Sequence, residues 1–129
     1  EVLVPSKTPQ FLFQISFVQA HYNLKKFSMK NLNQEEWKKA LTTNTNYVLL
    51  DVRSPQECQA GMQENASQLN FLDQEVFMSG LEALDKSKDY FVYCRSGARS
   101  SNACAVLAQK GFTSFNLLGG MLEWDGKVV

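Results

Sequence analysis

The feature that most limits the possible folds of this chain is a short, almost uninterrupted apolar segment, residues 47–52. A strand with apolar side chains on both faces must be covered on both sides, as in parallel sheets that lie between helices. Ser54, Pro55 and Glu57 follow with the pattern of a helix start: a capping serine, a proline at the first helical position and a glutamate at the third. A buried strand that leads directly into a helix predicts an α/β domain with right-handed crossovers.

The rest of the chain repeats this alternation of strands and helices. Asn33 and Glu36 form a second capping pattern, and residues 90–92 are a second buried apolar segment. Asp73 is predicted to begin a further helix. The other predicted elements are strands at 67–71 and 115–118, a helix over 100–108 that ends before Gly111, and a helical turn at 121–124. The apolar set of the helix that begins after Asn33 is Trp37, Ala40 and Leu41, and that of the helix that begins at Asp73 is Val76, Phe77, Leu81 and Leu84.

Cys94 stands where the buried segment 90–92 gives way to the helix that ends before Gly111. Backbone N–H groups are unpaired at such a turn and the helix dipole adds partial positive charge, so a thiol there loses its proton more easily. Arg95 and Arg99 add positive charge beside it. The pattern favours a nucleophilic sulfur that meets an anionic substrate, over the alternative of an inert thiol buried at a strand end.

The loop from Cys94 to Arg99 resembles the active-site loop of rhodanese-type sulfurtransferases. Residues 49–57 resemble the D-V-R-x-x-x-E motif of that family, residues 61–66 its G-H-I-P-G-A segment, and residues 118–124 its closing G-G-x-x-x-W. One segment departs from the pattern, because Met62 replaces its histidine and Glu64-Asn65 replaces its Pro-Gly. The only histidine, His21, lies outside the matched region and is given no role.

The resemblance implies a three-layer α/β domain with a central parallel sheet flanked by helices. It also implies a sulfurtransferase that moves a sulfane sulfur from an anionic donor such as thiosulfate to cyanide or a thiol, through a persulfide on Cys94. Neither a cofactor nor a metal is implied, and the expected partners are the small donor and acceptor, with a protein donor or acceptor as an option.

The same resemblance assigns roles around Cys94. The substrate-binding residues are Arg95, Ser96, Gly97, Ala98 and Arg99, and the supporting residues are Asp51, Arg53, Glu57 and Ser100. Among the supporting residues, Arg53 is predicted to pair with Glu57 four positions on, and Asp51 to hydrogen-bond backbone near the active loop. Trp124 is predicted to pack the last turn against the core.

Two other readings of the Cys94 loop stay open. Cysteine phosphatases and arsenate reductases share this fold, but they have a longer loop than the four residues that separate Cys94 from Arg99. A persulfide carrier fed by a partner protein would use the same residues as a thiosulfate enzyme. Cys58 and Cys104 are interpreted as packing residues, with the alternative that either forms a disulfide with an oxidised or persulfidated Cys94.

Size and charge fit one globular domain, with 129 residues and 13 basic against 13 acidic side chains. The balanced charge predicts no nucleic-acid partner, and the sequence contains no apolar segment that would span a membrane. A catalytic thiol must stay unpaired, so a cytoplasmic location is expected, with a periplasmic or exported one left open. Residues 29–129 are assigned to the rhodanese-like domain. Residues 1–28 are assigned to an extension, whether an extra strand, a signal remnant or residues added by cloning.

Overall fold

The structure, a computed structural model, describes residues 28–129 and contains one sheet of five parallel strands. The strands are β1 (Met29–Leu32), β2 (Tyr47–Asp51), β3 (Ser67–Gln68), β4 (Asp89–Tyr93) and β5 (Thr113–Leu117). Their order across the sheet is β1-β5-β4-β2-β3, so the central strand β4 lies between β5 and β2. The predicted extension, residues 1–28, lies outside the described residues except for its last one.

Helices connect the strands, and three of the five begin at the predicted caps Asn33, Ser54 and Asp73. The helices are α1 (Gln34–Thr43), α2 (Pro55–Gln59), α3 (Gln74–Glu82), α4 (Ala98–Gln109) and α5 (Gly120–Glu123). The Asn33 side chain accepts the Glu36 N–H at 2.8 Å, and the Glu36 carboxylate accepts the Asn33 N–H at 2.9 Å. Ser54 and Glu57 make the same reciprocal pair at 3.3 and 3.2 Å. Both predicted capping boxes are therefore confirmed.

The side chains of β4 alternate between two buried clusters, one on each face of the sheet. Tyr90 and Val92 point into one cluster, whereas Phe91 and Tyr93 point into the other. On the second face, Trp37 of α1 packs edge-on against Phe91 with ring centroids 5.4 Å apart. The residues of α3 and α4 that are buried against the first face are Phe77, Leu81, Ala103, Cys104 and Leu107. Burial of Phe77, Leu81 and Leu107 contributes about 1.5–3 kcal/mol each, so helices are held on both faces and the predicted three-layer fold is confirmed.

The sheet differs from the sequence prediction at its two edges. β1 was not predicted, yet it pairs with β5 from Met29 opposite Ser114 to Leu32 opposite Leu117. Its central residues are polar and exposed, so no alternation marks it, and its extended form comes from pairing with β5. The strand predicted at residues 67–71 shortens to the two residues of β3.

Helix α3 begins after Asp73, as predicted, and buries Phe77 and Leu81. The prediction that Val76 also faces the core was wrong, because Val76 is 49% exposed. Its position in the first turn places it a quarter-turn away from Phe77, outside the buried stripe. None of the helices within residues 28–129 combines the length and the apolar character needed to cross a bilayer.

Candidate functional site

Cys94 directly follows the central strand β4 and is buried at the carboxyl edge of the sheet. The chain then turns through Gly97, which has a φ of +103° and precedes the first residue of α4. A side chain at this position would be strained by the left-handed backbone, and its Cβ would lie 3.2 Å from the carbonyl oxygen of Leu117. Glycine therefore allows the tight turn that brings the start of α4 over the sulfur.

Three donors point at the Cys94 sulfur. The N–H of Gly97 donates to Sγ at 3.1 Å, the N–H of Ser100 at 3.4 Å and the hydroxyl of Ser100 at 3.3 Å. Burial alone raises the pKa of a thiol, but the hydrogen bonds from the Ser100 hydroxyl and from the amides of Ser100, Gly97 and Ser96 outweigh it. The net result is a lowered pKa for Cys94, which favours the thiolate.

Arg99 does not point freely into the loop, because Glu57 holds its guanidinium. The two side chains form a fork, with Nη1 donating to Oε1 at 2.8 Å and Nη2 to Oε2 at 2.9 Å. The guanidinium lowers the pKa of Glu57 to about 2, and Glu57 in turn raises the pKa of Arg99. Glu57 also caps α2 through Ser54, so the fork ties the start of α2 to the start of α4.

The predicted pair between Arg53 and Glu57 was wrong. Arg53 instead binds Asp51, with Nε 2.9 Å from Oδ1 and Nη2 2.7 Å from Oδ2, and it also donates to the Gly61 carbonyl at 2.6 Å. Side chains four positions apart lie close together only when both residues belong to one helix. Arg53 precedes the N-cap Ser54 and therefore lies outside α2. Its buried charge is satisfied by this pair, and the hydrogen bonds that Arg53 donates to the Asp51 carboxylate raise the pKa of Arg53.

Asp51 does accept a backbone hydrogen bond, but the donor is the N–H of Arg53 at 3.0 Å rather than a group of the Cys94 loop. The N–H of Val52, the residue after Asp51, donates to the carbonyl of Tyr93, the residue before Cys94, at 3.0 Å. The Asp51–Arg53 pair thus stabilises the turn after β2, beside the site.

The outer part of the loop is open to solvent. Arg95, Ser96 and Ala98 are exposed, and the Arg95 guanidinium has no hydrogen-bond or ion-pair partner within residues 28–129. Arg95 is therefore the arginine of this loop whose charge is available to an incoming anion. In the same part of the chain, no group of three or more histidine, cysteine, aspartate or glutamate side chains could hold a metal ion.

The other two cysteines have environments unlike that of Cys94. Cys104 is buried in the core, and burial raises its pKa to about 11. Cys58 is half-buried on α2, where burial and then the charge of Asp51 raise its pKa to about 11. Both remain protonated thiols at neutral pH, which favours packing roles over attack on a modified Cys94.

Two polar residues near the site were not singled out from the sequence. Asn116 is buried on β5 and its Nδ2 donates to Asn31 at 3.0 Å and to the Gly97 carbonyl at 3.4 Å. Gln63 is buried as well and accepts the indole N–H of Trp37 at 3.1 Å. A polar residue between two apolar ones, as in residues 115–117, is the signal that would have identified Asn116. Gln63 lies in a polar segment and carries no such signal.

The comparisons with known proteins agree with this geometry. The family model for the rhodanese-like domain matches residues 33–127. A sulfurtransferase of Allochromatium vinosum is 36% identical over 97 residues, which cover 74% of this chain and 88% of that protein. The protein YtwF of Bacillus subtilis is 34% identical over 99 residues, which cover 77% of this chain and 93% of YtwF. The crystal structure of a rhodanese-like domain protein from Staphylococcus aureus superposes with a TM-score of 0.68 at 26% identity, covering 77% of this chain and 94% of that one. This chain therefore belongs to the rhodanese-like domain family.

Proposed function

We propose that this protein transfers a sulfane sulfur from an anionic donor such as thiosulfate to a thiophilic acceptor, cyanide or a thiol, through a persulfide on Cys94. The observation that carries the proposal is the set of donors around Sγ: the Gly97 N–H at 3.1 Å, and the Ser100 N–H and hydroxyl at 3.4 and 3.3 Å. They stabilise an anionic sulfur before and after it reacts. The sulfurtransferase relative supports the same class of reaction.

In the first step, the Cys94 thiolate attacks the outer sulfur of thiosulfate. A bond forms between Sγ and that sulfur while the S–S bond of the donor breaks, and the bonding pair leaves with sulfite. One thiolate and one dianion become one persulfide anion and one dianion, so charge and atoms balance without any added oxidant.

In the second step, the acceptor removes the outer sulfur of the persulfide. Cyanide becomes thiocyanate, or a thiolate becomes a persulfide, and the bonding pair of the Cys94 persulfide returns to Sγ as the thiolate. The donors that stabilised the first anion also stabilise this leaving group, so one arrangement serves both half-reactions.

The two arginines of the loop have different roles in this proposal. Arg95 is exposed and unpaired, so it attracts the donor and binds its oxygens. Arg99 is occupied by Glu57 at 2.8 and 2.9 Å, so it holds the start of α4 in place, and Ser100 with it, rather than binding the donor. An arginine bound in this way also disfavours a phosphatase, in which the loop arginine must bind phosphate.

The test is an intact-mass measurement of the reduced protein after incubation with thiosulfate, with Cys94→Ser as the control. We expect a gain of about 32 Da on the wild type alone, reversed by cyanide with release of thiocyanate. A folded, reduced wild type without the adduct would overturn the thiosulfate reaction. If a protein persulfide donor then produced the adduct, the protein would be a carrier fed by that partner.

A further inference from the structure

Helix α5 lies directly beneath the first two residues of the Cys94 loop. The N–H of Met121 donates to the Cys94 carbonyl at 3.0 Å, and the N–H of Leu122 donates to the Arg95 carbonyl at 2.9 Å. These are free amides of the first turn of a short helix, which have no partner within the helix itself. Helix α5 therefore holds the Cys94 loop by hydrogen bonds between backbone atoms.

These two hydrogen bonds fix the direction of the amides that follow. In a trans peptide the C=O and the next N–H point in opposite directions, so a carbonyl held against α5 directs the following N–H away from α5. The Arg95 carbonyl belongs to the peptide that carries the Ser96 N–H. That N–H is thereby directed to the side of the loop where Sγ lies, and it is among the amides that favour the thiolate.

Gly120 makes this close contact possible. Its φ is +53°, and a Cβ built on it would lie 2.5 Å from both the Cys94 and the Arg95 carbonyl oxygens. Both atoms belong to backbone, so neither can rotate aside as the end of a flexible side chain would. A methyl group at this position must displace the peptides that begin the loop.

We propose that Gly120 is a positioning residue for the nucleophile: the space left by its missing side chain lets the first turn of α5 hold the Cys94 and Arg95 carbonyls, which keeps the start of the loop in place and directs the Ser96 amide toward Sγ. The inference rests on the proposed function only in taking Cys94 as the nucleophile. It holds for any sulfur donor.

The neighbouring Gly119 offers a matched control. It also has a positive φ, +82°, so alanine strains the backbone there as it does at Gly120. A Cβ on Gly119 would meet the Glu123 carboxylate, which is the end of an exposed and flexible side chain that can move away. Gly119→Ala therefore reproduces the backbone strain and leaves the Cys94 loop in place.

The experiment measures the alkylation rate of Cys94 by iodoacetamide between pH 5 and 10, resolved from Cys58 and Cys104 by peptide mass spectrometry. We expect Gly120→Ala to raise the pKa of Cys94 by about one unit, which lowers the rate at pH 6 about tenfold. Gly119→Ala should leave the profile within about twofold of the wild type. Identical profiles for the two variants would overturn the proposal.

A second pair of variants decides the matter if Gly120→Ala does not fold. Leu122 is 60% exposed, and proline is tolerated in the first turn of a helix, so Leu122→Pro removes the N–H donor to Arg95 while Leu122→Ala retains it. We expect a raised Cys94 pKa for the proline variant alone, and equal profiles would count against the proposal. Because alkylation needs no sulfur donor, a protein that fails with thiosulfate can still give either result.

Discussion

Replacing Glu57 with glutamine removes the negative charge that Arg99 binds, while an amide oxygen remains to accept the Ser54 N–H. The Arg99 guanidinium lowers the pKa of Glu57 from 4.5 to about 2. At about 1.4 kcal/mol per pKa unit, this shift corresponds to roughly 3 kcal/mol of stability. Solvent reaches 24% of the Arg99 side chain and 28% of the Glu57 side chain, so the pair is partly screened. We expect Glu57→Gln to lower the free energy of unfolding at pH 7 by about 2 kcal/mol.

The pH dependence of this loss has a definite sign. The pKa of Glu57 is lower in the folded state than in the unfolded state, so its contribution is complete above pH 4.5 and is lost as the pH falls toward 2. Urea unfolding, followed by the fluorescence of the buried Trp37, measures the free energy of the wild type and the variant at several pH values. Their difference should be constant from pH 7 to 5 and should shrink between pH 4 and 2.

The control is Glu64→Gln at an exposed ion pair. Glu64 and Lys127 lie 3.2 Å apart, but 50% and 67% of their side chains are exposed. We expect a change of less than about 0.5 kcal/mol at any pH. If Glu57→Gln cost no more than Glu64→Gln, or if its cost did not depend on pH, the argument that Arg99 is held by a strong pair would be refuted.

The remaining predictions concern the cysteines. Burial raises the pKa of Cys94, and the Ser100 hydroxyl is the largest of the contributions that oppose it, so Ser100→Ala should shift the alkylation profile of Cys94 to higher pH by about one unit. Ser96→Ala keeps its amide and should leave the profile unchanged; equal shifts for the two serine variants would contradict this account of the hydroxyl. Cys104→Ala should retain the thiosulfate adduct on Cys94 and lower the free energy of unfolding by about 1 kcal/mol, measured in urea. Loss of the adduct in a folded Cys104→Ala protein would show that Cys104 takes part in the reaction.

The local features of this fold can be predicted from sequence because their causes are local. The capping box of Asn33 and Glu36 satisfies amides within one helical turn, so the residue types alone mark where α1 begins. The Cys94 loop can also be predicted from sequence, because a buried strand, a cysteine, a glycine and a helix follow within a few residues. Such patterns depend on neighbours in the chain, and both were placed correctly.

The partners of the charged side chains could not be predicted in this way. Glu57 and Arg99 are 42 positions apart, and they meet only because β2 and β4 are neighbours in the sheet and their helices begin at the same edge. The local rule paired Glu57 with Arg53 instead, four residues away, although Arg53 lies before the helix. Strand β1 could not be predicted for the same reason, because its extended conformation depends on pairing with the distant β5.

The contacts beneath the loop also imply an order of events during synthesis, because they join Cys94 and Arg95 to residues that follow much later in the chain. Cys94 leaves the ribosome before Met121 and Leu122, which hold its loop. Strand β1 likewise cannot pair until β5 has been made, because Asn116 of β5 is 85 positions beyond its partner Asn31. Such distant pairing forms late in folding. Until then Cys94 lacks the ordered amides that lower its pKa in the folded protein, so less of it is thiolate and it reacts more slowly with oxidants. We therefore expect the growing chain to carry Cys94 mainly as a protonated thiol, and its pKa to fall only when the fold is complete.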